Sequence, residues 1–440
     1  MNSLLRRYMS FNRLIEINFD GGELTSDGGM LLYREFDEKL GFSACIKQHL
    51  ITDQDVYSRC HSSSSLAIQK IYQCIAGYFT DNCANQLAYE PLFNTVLGKN
   101  RLASQSTLSR FNNSLNEESL ITLEKVCNIL QERIHNYEKP EQMVLDIDST
   151  HFDTYGNQEK SDYNAHYQTT GFHPLVMFDG LTGDLIKAEL RSGNVYTSNN
   201  VVNFMQPVLE RYNKNHPEML IYVRADSGFA VPELYNLIES NNYKYAIRLK
   251  LNNALVKLAK PYADDLMELC KEDLISYKCI YGEIEYKAGS WSKSRKVALK
   301  IEKPYGQIAP IYTFVVNNMD LSAKEIIKFY CNRGTMENFI KEGKQGFNFD
   351  KMSSTNFIVN ANKLQIAVLA YNFNNWFRRL CMKKHIKSFR METIRNKVIK
   401  VATKIARHAR KILFELCSNY PYKNVYDEIL NALYVLPKLE

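Results

Sequence analysis

The segment Met143-Val144-Leu145-Asp146-Ile147-Asp148 places two acids in an otherwise apolar run. In an extended strand, side chains two residues apart point to the same face. Asp146 and Asp148 therefore leave one face of a strand whose Val144, Leu145 and Ile147 belong in a core. Two carboxylates held this way are costly unless something positive sits between them. A bound metal ion meets that need, and so does a structural Arg or Lys partner. Any fold for this chain must provide one or the other.

Around this strand the pattern is mixed. The first 135 or so residues read mostly helical, with helices at Leu66 to Phe79, Glu117 to His135 and about Asp27 to Leu40. Ser104-Gln105-Ser106-Thr107-Leu108-Ser109-Arg110-Phe111 reads as the capped start of a helix. Both a helix-turn-helix recognition helix and an ordinary capped helix fit it. After Met143, strand-like runs follow at Pro174 to Asp179, Asp184 to Leu190, Met219 to Asp226 and Tyr245 to Leu249. Helices at Val201 to Tyr212 and Pro232 to Ser240 lie among them, which predicts a mixed α/β sheet. Lys250 to Asp320 turns strand-rich again, at Cys279 to Lys287, Lys296 to Glu302 and Ile311 to Val316, and reads as an insertion before long helices from Ser322 onward. The expected regions are a helical 1–137, a first core part 138–249, a β-rich insertion 250–321, a second core part 322–380 and a basic helical 381–440.

At 440 residues the chain is long enough for about two to four units. It has no apolar run of bilayer length, so no membrane partner is expected. Met1 to Leu14 lacks the apolar core and small-residue site of a secretory leader. The ten cysteines are scattered, with no pair at two-residue spacing. That argues against structural zinc and a disulfide framework and predicts a reducing, cytoplasmic setting. The net charge is +7, but Arg378 to Lys411 holds thirteen Lys or Arg and the single acid Glu392. That segment is +12 and the rest of the chain −5, from 7 − 12. Such a block attracts a polyanion. Ile394, Val398, Ile405 and Ile412 interleave at helical spacing, which predicts an amphipathic helix with one cationic face.

The most specific spacing is Tyr330, Arg333, Glu337 and Lys344. On a continuous helix at about 100° per residue they fall within an arc of roughly 60°. One stripe then carries a carboxylate that can hold a divalent cation and two cations that can grip phosphate. A solvated face with charge pairs is the plain alternative. Gly343 and Gly346 can end the helix early, in which case Lys341 replaces Lys344. Asp226 ends an apolar strand before Ser227-Gly228-Phe229. It reads as a strand-end ligand or as a helix N-cap. Two Asp and one Glu converging on one point suit two divalent ions with all-oxygen ligands, magnesium or manganese rather than zinc.

Asp148-Ser149-Thr150, Asp226-Ser227-Gly228-Phe229 and the Tyr330/Arg333/Glu337/Lys344 spacing together resemble the DDE transposases of bacterial insertion sequences. The match is to the branch with a Tyr-Arg-Glu-Lys signature. Leu24-Thr25-Ser26-Asp27-Gly28-Gly29 and Gly171-Phe172-His173-Pro174-Leu175 are similar to the group numbered thirteen-eighty. The resemblance covers about residues 15 to 380. It implies an RNase H-like core with the order Asp, Asp, Glu, a β-rich insertion before the Glu, and a dimer assembled on two double-stranded transposon ends. It implies Asp148, Asp226 and Glu337 as catalytic residues holding two Mg2+ ions, with Mn2+ a substitute. Asp146 is the alternative first acid. Arg333 and Lys344 would bind phosphate, with Tyr330 in support. Trp291, within Ser290-Trp291-Ser292-Lys293-Ser294-Arg295, is a candidate for stacking on an unpaired base, and an ordinary packing Trp is the other reading. His173 and Asn194 are left outside the set.

The function expected is that of a transposase that binds terminal inverted repeats, cuts there and joins the ends elsewhere. An RNase H-like nuclease that cuts without joining, and a non-catalytic DNA-binding descendant, are the competing readings.

Overall fold

The computed structural model describes residues 7–52, 60–271, 275–307 and 309–439. The first six residues of the Met1 to Leu14 segment lie outside these. The chain divides into two compact units. One joins Met1–Arg133 with Leu369–Glu440, and the other is Ile134–Val368.

The second unit is built on one eight-stranded sheet. Its strands are β1 (Gln142–Ser149), β2 (Leu175–Asp179), β3 (Leu185–Glu189), β4 (Leu220–Ala225), β5 (Lys244–Leu249), β6 (Lys278–Tyr286), β7 (Arg295–Lys303) and β8 (Ile311–Asn317). They lie in the order β6-β7-β8-β5-β4-β1-β2-β3. β1, β2 and β3 form an antiparallel meander, and β4 and β5 run parallel to β1. Helices α1 (Val201–Asn215) and α2 (Pro232–Ser240) make the crossovers that parallel strands require. The result is a mixed α/β fold with the strand directions of an RNase H-like core.

The alternation along β1 decides which face does what. Met143, Leu145 and Ile147 enter one core with Phe204, Met205 and Leu209 of α1 and Leu234, Tyr235 and Ile238 of α2. Period-two geometry then sends Asp146 and Asp148 to the opposite face. On that face, helix α3 (Ala323–Cys331) packs Ile326, Ile327 and Tyr330 against Ala246, Ala298 and Val315. A second helix, α4 (Gly334–Phe347), follows at once.

The block read as an insertion does lie between β5 and the Glu337 helix. It is not a separate sheet, however. It opens with two helices, Asn253–Leu258 and Lys260–Leu269, and its three strands extend the core sheet, β8 pairing antiparallel with β5. An open edge on β5 leaves backbone donors and acceptors to be met, and β8 meets them.

In the first unit, aromatic rings pack closely, Tyr33 on Phe377 at 4.1 Å and Phe42 on Phe373 at 4.3 Å between centroids. The Leu24–Gly29 motif serves as a clasp here. Thr25 pairs with Thr403 in a three-stranded sheet. The buried Asp27 carboxylate accepts from Lys400 Nζ (2.6 Å), the Tyr78 hydroxyl (2.8 Å) and the Ser26 hydroxyl (2.9 Å). The Gly28 and Gly29 amides donate to the Val401 and Ile399 carbonyls.

The amphipathic helix expected across the basic segment is corrected. After a short helix, Met391–Ile394, and a π-turn, Arg395–Ile399, the chain forms a hairpin of Thr403–His408 and Lys411–Leu416. Thr403 and Ile405 are buried while Lys404 is exposed, a two-residue alternation that wins over the helical spacing. Ile412 is exposed rather than on an apolar seam. Several of the cations are used within the unit. Lys400 binds Asp27, Arg395 donates to the Cys74 and Ile75 carbonyls, and Arg407 pairs with Glu23.

Candidate active site

Asp148 stands one residue from the end of β1, opposite Val176 of β2. β4 runs parallel beside it, with Arg224 across from Asp146 and Ala225 across from Ile147. Asp226 follows directly, so register carries it to the same end of the sheet as Asp148. Its Oδ1 accepts from the Gly228 amide at 2.9 Å, capping the short turn Ser227–Phe229. The N-cap and ligand readings of Asp226 are therefore compatible, because one oxygen remains for other work.

The helix stripe is bent. α3 ends at Cys331, Asn332 and Arg333 form a turn, and α4 starts at Gly334. Tyr330 and Arg333 thus lie before the helix that carries Glu337 and Lys344. The bend turns Arg333 down to the sheet. Its Nη2 lies 2.9 Å from Asp148 Oδ2 and 3.3 Å from the Ile147 carbonyl. Glu337, in the first turn of α4, is exposed, and so is Lys341. Lys344 stays within the helix and donates to the His151 carbonyl at 2.8 Å. α4 runs on to Phe347 because Gly343 leaves room for the Phe349 ring, which would lie 1.6 Å from a Cβ there.

Electrostatics tie the acids together. Burial pushes the Asp148 carboxyl up, Arg333 pulls it down, and the charges of Asp226 and Glu337 push it up again, to about 6. For Arg333, burial opposes the charge, but Asp148 and Asp226 more than offset this and raise it above the ordinary guanidinium value. Burial raises the Tyr330 phenol, and both Arg333 and Asp226 act on it. Oxygens of Asp148, Asp226 and Glu337 do not all approach within 4.8 Å of one another, the spacing of ligands on a single ion. A pair of ions about 3.5–4 Å apart takes a wider set.

Asp146 is elsewhere engaged. It is fully buried, and its two oxygens accept from Arg224 Nε and Nη2, both at 2.7 Å. This is the structural-partner solution to the two-acid strand, and it leaves Asp148 as the acid facing the cluster. Arg224 escaped the sequence reading. The signal was present, since Arg224 lies two residues before Asp226 and so shares its face. Trp291 is also placed away from the cluster. It is 5% exposed and packs edge-on against Tyr235 and Tyr286, with Arg295 over its ring at 5.4 Å. This is the position of an ordinary packing Trp, the other reading that the sequence left open.

A family model described as transposase DDE domain, group 1, matches residues 8–438. The chain belongs to the DDE transposase family. The family implies phosphoryl transfer on DNA, and its domains generally use divalent metals. No curated protein matches the chain. Among solved structures, this DDE transposase is similar to a piggyBac transposase synaptic complex with hairpin DNA, determined by cryo-electron microscopy. The TM-score is 0.42 at 13% identity, over 84% of this chain and 79% of that one. Among the described residues, no helix is long and apolar enough to cross a membrane.

Proposed function

We propose that this DDE transposase is the transposase of a bacterial insertion sequence. It binds double-stranded terminal inverted repeats, cuts at the element's ends and joins them to a target, acting as a dimer on two ends. The observation that carries this reading is geometric: Asp148 near the end of β1 and Asp226 just past the adjacent parallel β4 stand at the same end of the sheet, with Arg333 Nη2 2.9 Å from Asp148 Oδ2. Crowded, all-oxygen carboxylates are the donor set that a hard divalent cation relieves. Asp148, Asp226 and Glu337 would hold two ions, Mg2+ or Mn2+. When bound, such a pair activates an attacking hydroxyl and stabilises the leaving oxygen.

The chain's own residues supply the rest. Arg333 pairs with Asp148, and its planar fork would suit a pair of phosphate oxygens on a bound DNA strand. Lys344 pins α4 to the strand end through the His151 carbonyl and adds positive charge near the phosphate. Arg224 donates its third nitrogen to the Phe329 carbonyl at 2.8 Å, so the buried pair with Asp146 fixes the end of α3 and hence the turn that aims Arg333.

A strand-transfer assay with pre-cleaved ends and Mg2+ tests the reading. Joined product is expected, and hydrolysis without joining would leave a nuclease instead. Asp148→Ala and Glu337→Ala should each abolish excision in cells. Unchanged excision would mean that the catalytic set is wrong.

A further inference from the structure

The end of the sheet away from the acids carries a second cluster of ligand-type side chains. β1 and β4 start side by side there, Gln142 opposite Leu220, while Asp148 and Asp226 stand where these strands finish. Two helices arrive at the starting end. The long helix Glu117–Glu138 leads into β1, and α1 leads into β4. Glu132 and His135 lie one turn apart near the end of the long helix, as a Glu-x-x-His pair. His216 follows directly on α1. The division between the two compact units falls inside the long helix, so helix geometry alone sets Glu132 against His135.

One ligand atom from each of Glu132, His135 and His216 lies within 4.8 Å of the others. Among the described residues, no other three His, Cys, Asp or Glu side chains come together so closely. His135 is 4% exposed, and the other two are half-buried. The two imidazoles stand nearly perpendicular, with centroids 5.7 Å apart. Both pack beside the buried Tyr212 ring, at 5.6 and 6.0 Å. Their backbones are fixed as well. The His135 carbonyl accepts from the Lys139 amide at 2.7 Å, and the His216 amide donates to the Tyr212 carbonyl at 2.8 Å. A cavity of about 610 Å³, lined by His135, His216, Glu141 and Glu218 among others, opens beside the rings and gives water a way in.

Two helix C-termini converge on this point, and their partial negative charge favours a cation. Two imidazoles and one carboxylate are a zinc-type donor set, whereas a hard ion such as Mg2+ takes oxygen ligands. Zinc bonds of about 2.0–2.2 Å put tetrahedral ligands roughly 3.3 Å apart, so small side-chain movements close the remaining gap. The cysteine spacing that argues against structural zinc does not bear on histidine ligands.

We infer that Glu132, His135 and His216 bind one zinc ion, with a water from the cavity as fourth ligand. The ion ties the end of the long helix to the end of α1 and so fixes the starts of the two strands that carry the acids. It is separate from the ions proposed for Asp148, Asp226 and Glu337, since the six residue steps from Gln142 to Asp148 span roughly 20 Å of strand.

The test uses the full chain, stripped of metal with EDTA and titrated with Zn2+. The tightest site should take one Zn2+ per chain and raise the thermal midpoint, because the ion binds the folded state. His216→Ala should weaken this site by more than about a hundredfold, beyond the loss of a supporting partner, and the milder Glu132→Gln by at least about tenfold. Asp148→Ala should leave its affinity unchanged. X-ray absorption of wild type carrying one equivalent of Zn2+ needs no variant to fold. It should show imidazole scattering, with nitrogen and oxygen at about 2.0–2.1 Å and no sulfur at about 2.3 Å. A sulfur shell would assign the ion to cysteines, and an oxygen-only shell would assign it to the acids. Either result would overturn the inference, as would Zn2+ affinity unchanged in His216→Ala or no Zn2+ bound by wild type.

Discussion

Arg224 grips Asp146 through two bonds of 2.7 Å on adjacent parallel strands, and both side chains are buried. The pair separates two acids that look equivalent in sequence. Removing one member of a buried ion pair leaves the other charge uncompensated, at a cost of about 3–5 kcal/mol. Asp146→Ala should therefore lower the thermal midpoint steeply. Asp148→Asn removes a carboxylate already crowded by Asp226 and Glu337. It should leave the midpoint near wild type while abolishing cleavage. Melting curves beside a cleavage assay check both, and the reverse pattern would make Asp146 the site acid.

Gly180 is tied to the same pair. A Cβ there would lie 2.3 Å from Asp146 Oδ2 and 2.4 Å from Arg224 Nη2. Neither group can retreat without breaking the bidentate bond. Gly180→Ala should cost about 1–3 kcal/mol, as overpacking does. Chemical denaturation measures it, and a neutral result would mean that the buried pair has room to shift.

Much of this architecture is readable from the amino-acid order, because a buried strand announces itself by apolar alternation. The runs around Asp146, Val223 and Ile247 read as strands, and Asp226 stands at a strand end in both sequence and structure. Two kinds of feature were hidden. Which residue meets a strand carboxylate depends on the register of β4 against β1, and register is a property of the assembled sheet. That is why Arg224 was overlooked. The break at Asn332–Arg333 was hidden for a similar reason. Helical spacing alone predicts an unbroken stripe, while the reach of Arg333 to Asp148 needs the turn. In the basic segment, Ile394, Val398, Ile405 and Ile412 satisfied a helical template that strand alternation and pairing with Glu23–Thr25 overrode.

The Leu24–Gly29 motif gives a prediction in the first unit. A Cβ on Gly29 would fall 1.8 Å from the Val398 carbonyl and 2.6 Å from the Ile399 Cα, both backbone atoms that cannot rotate away. Gly29→Ala should open the clasp between Asp27 and Lys400 and cost at least about 1–3 kcal/mol. Amide hydrogen exchange should show lost protection at Val398–Thr403. Unaltered exchange there would contradict a clasping role.

Trp291 gives a prediction in the core. A ring packed among Tyr235, Tyr286 and Arg295 contributes to the core rather than to a base. Trp291→Ala should cost about 3–5 kcal/mol, as truncation of a buried aromatic does. At a temperature where the variant is folded, its affinity for DNA ends should match wild type. A selective loss of DNA affinity without loss of stability would restore the stacking role.

Glu239 gives the pH dependence. Its carboxylate meets Arg295 Nε at 2.8 Å, Lys293 Nζ at 2.9 Å and the Tyr245 hydroxyl at 2.9 Å. Burial alone would raise its carboxyl, but the hydrogen bonds from Arg295, Lys293 and Tyr245 more than offset this and hold it down at about 2. A carboxyl depressed in the folded state favours folding whenever it is ionised in both states. Its contribution is therefore complete above the ordinary carboxylate range near 4.5 and fades as pH falls toward 2. Solvent at the edge of the group screens part of this, leaving about 1–2 kcal/mol at neutral pH. Glu239→Gln should lose that amount at pH 7 and progressively less on acidification, so the two stability curves converge as pH drops through 4. Denaturant titrations at pH 7, 5 and 4 follow the gap, and a gap that stays constant with pH would show that the carboxylate charge is not what Arg295 requires.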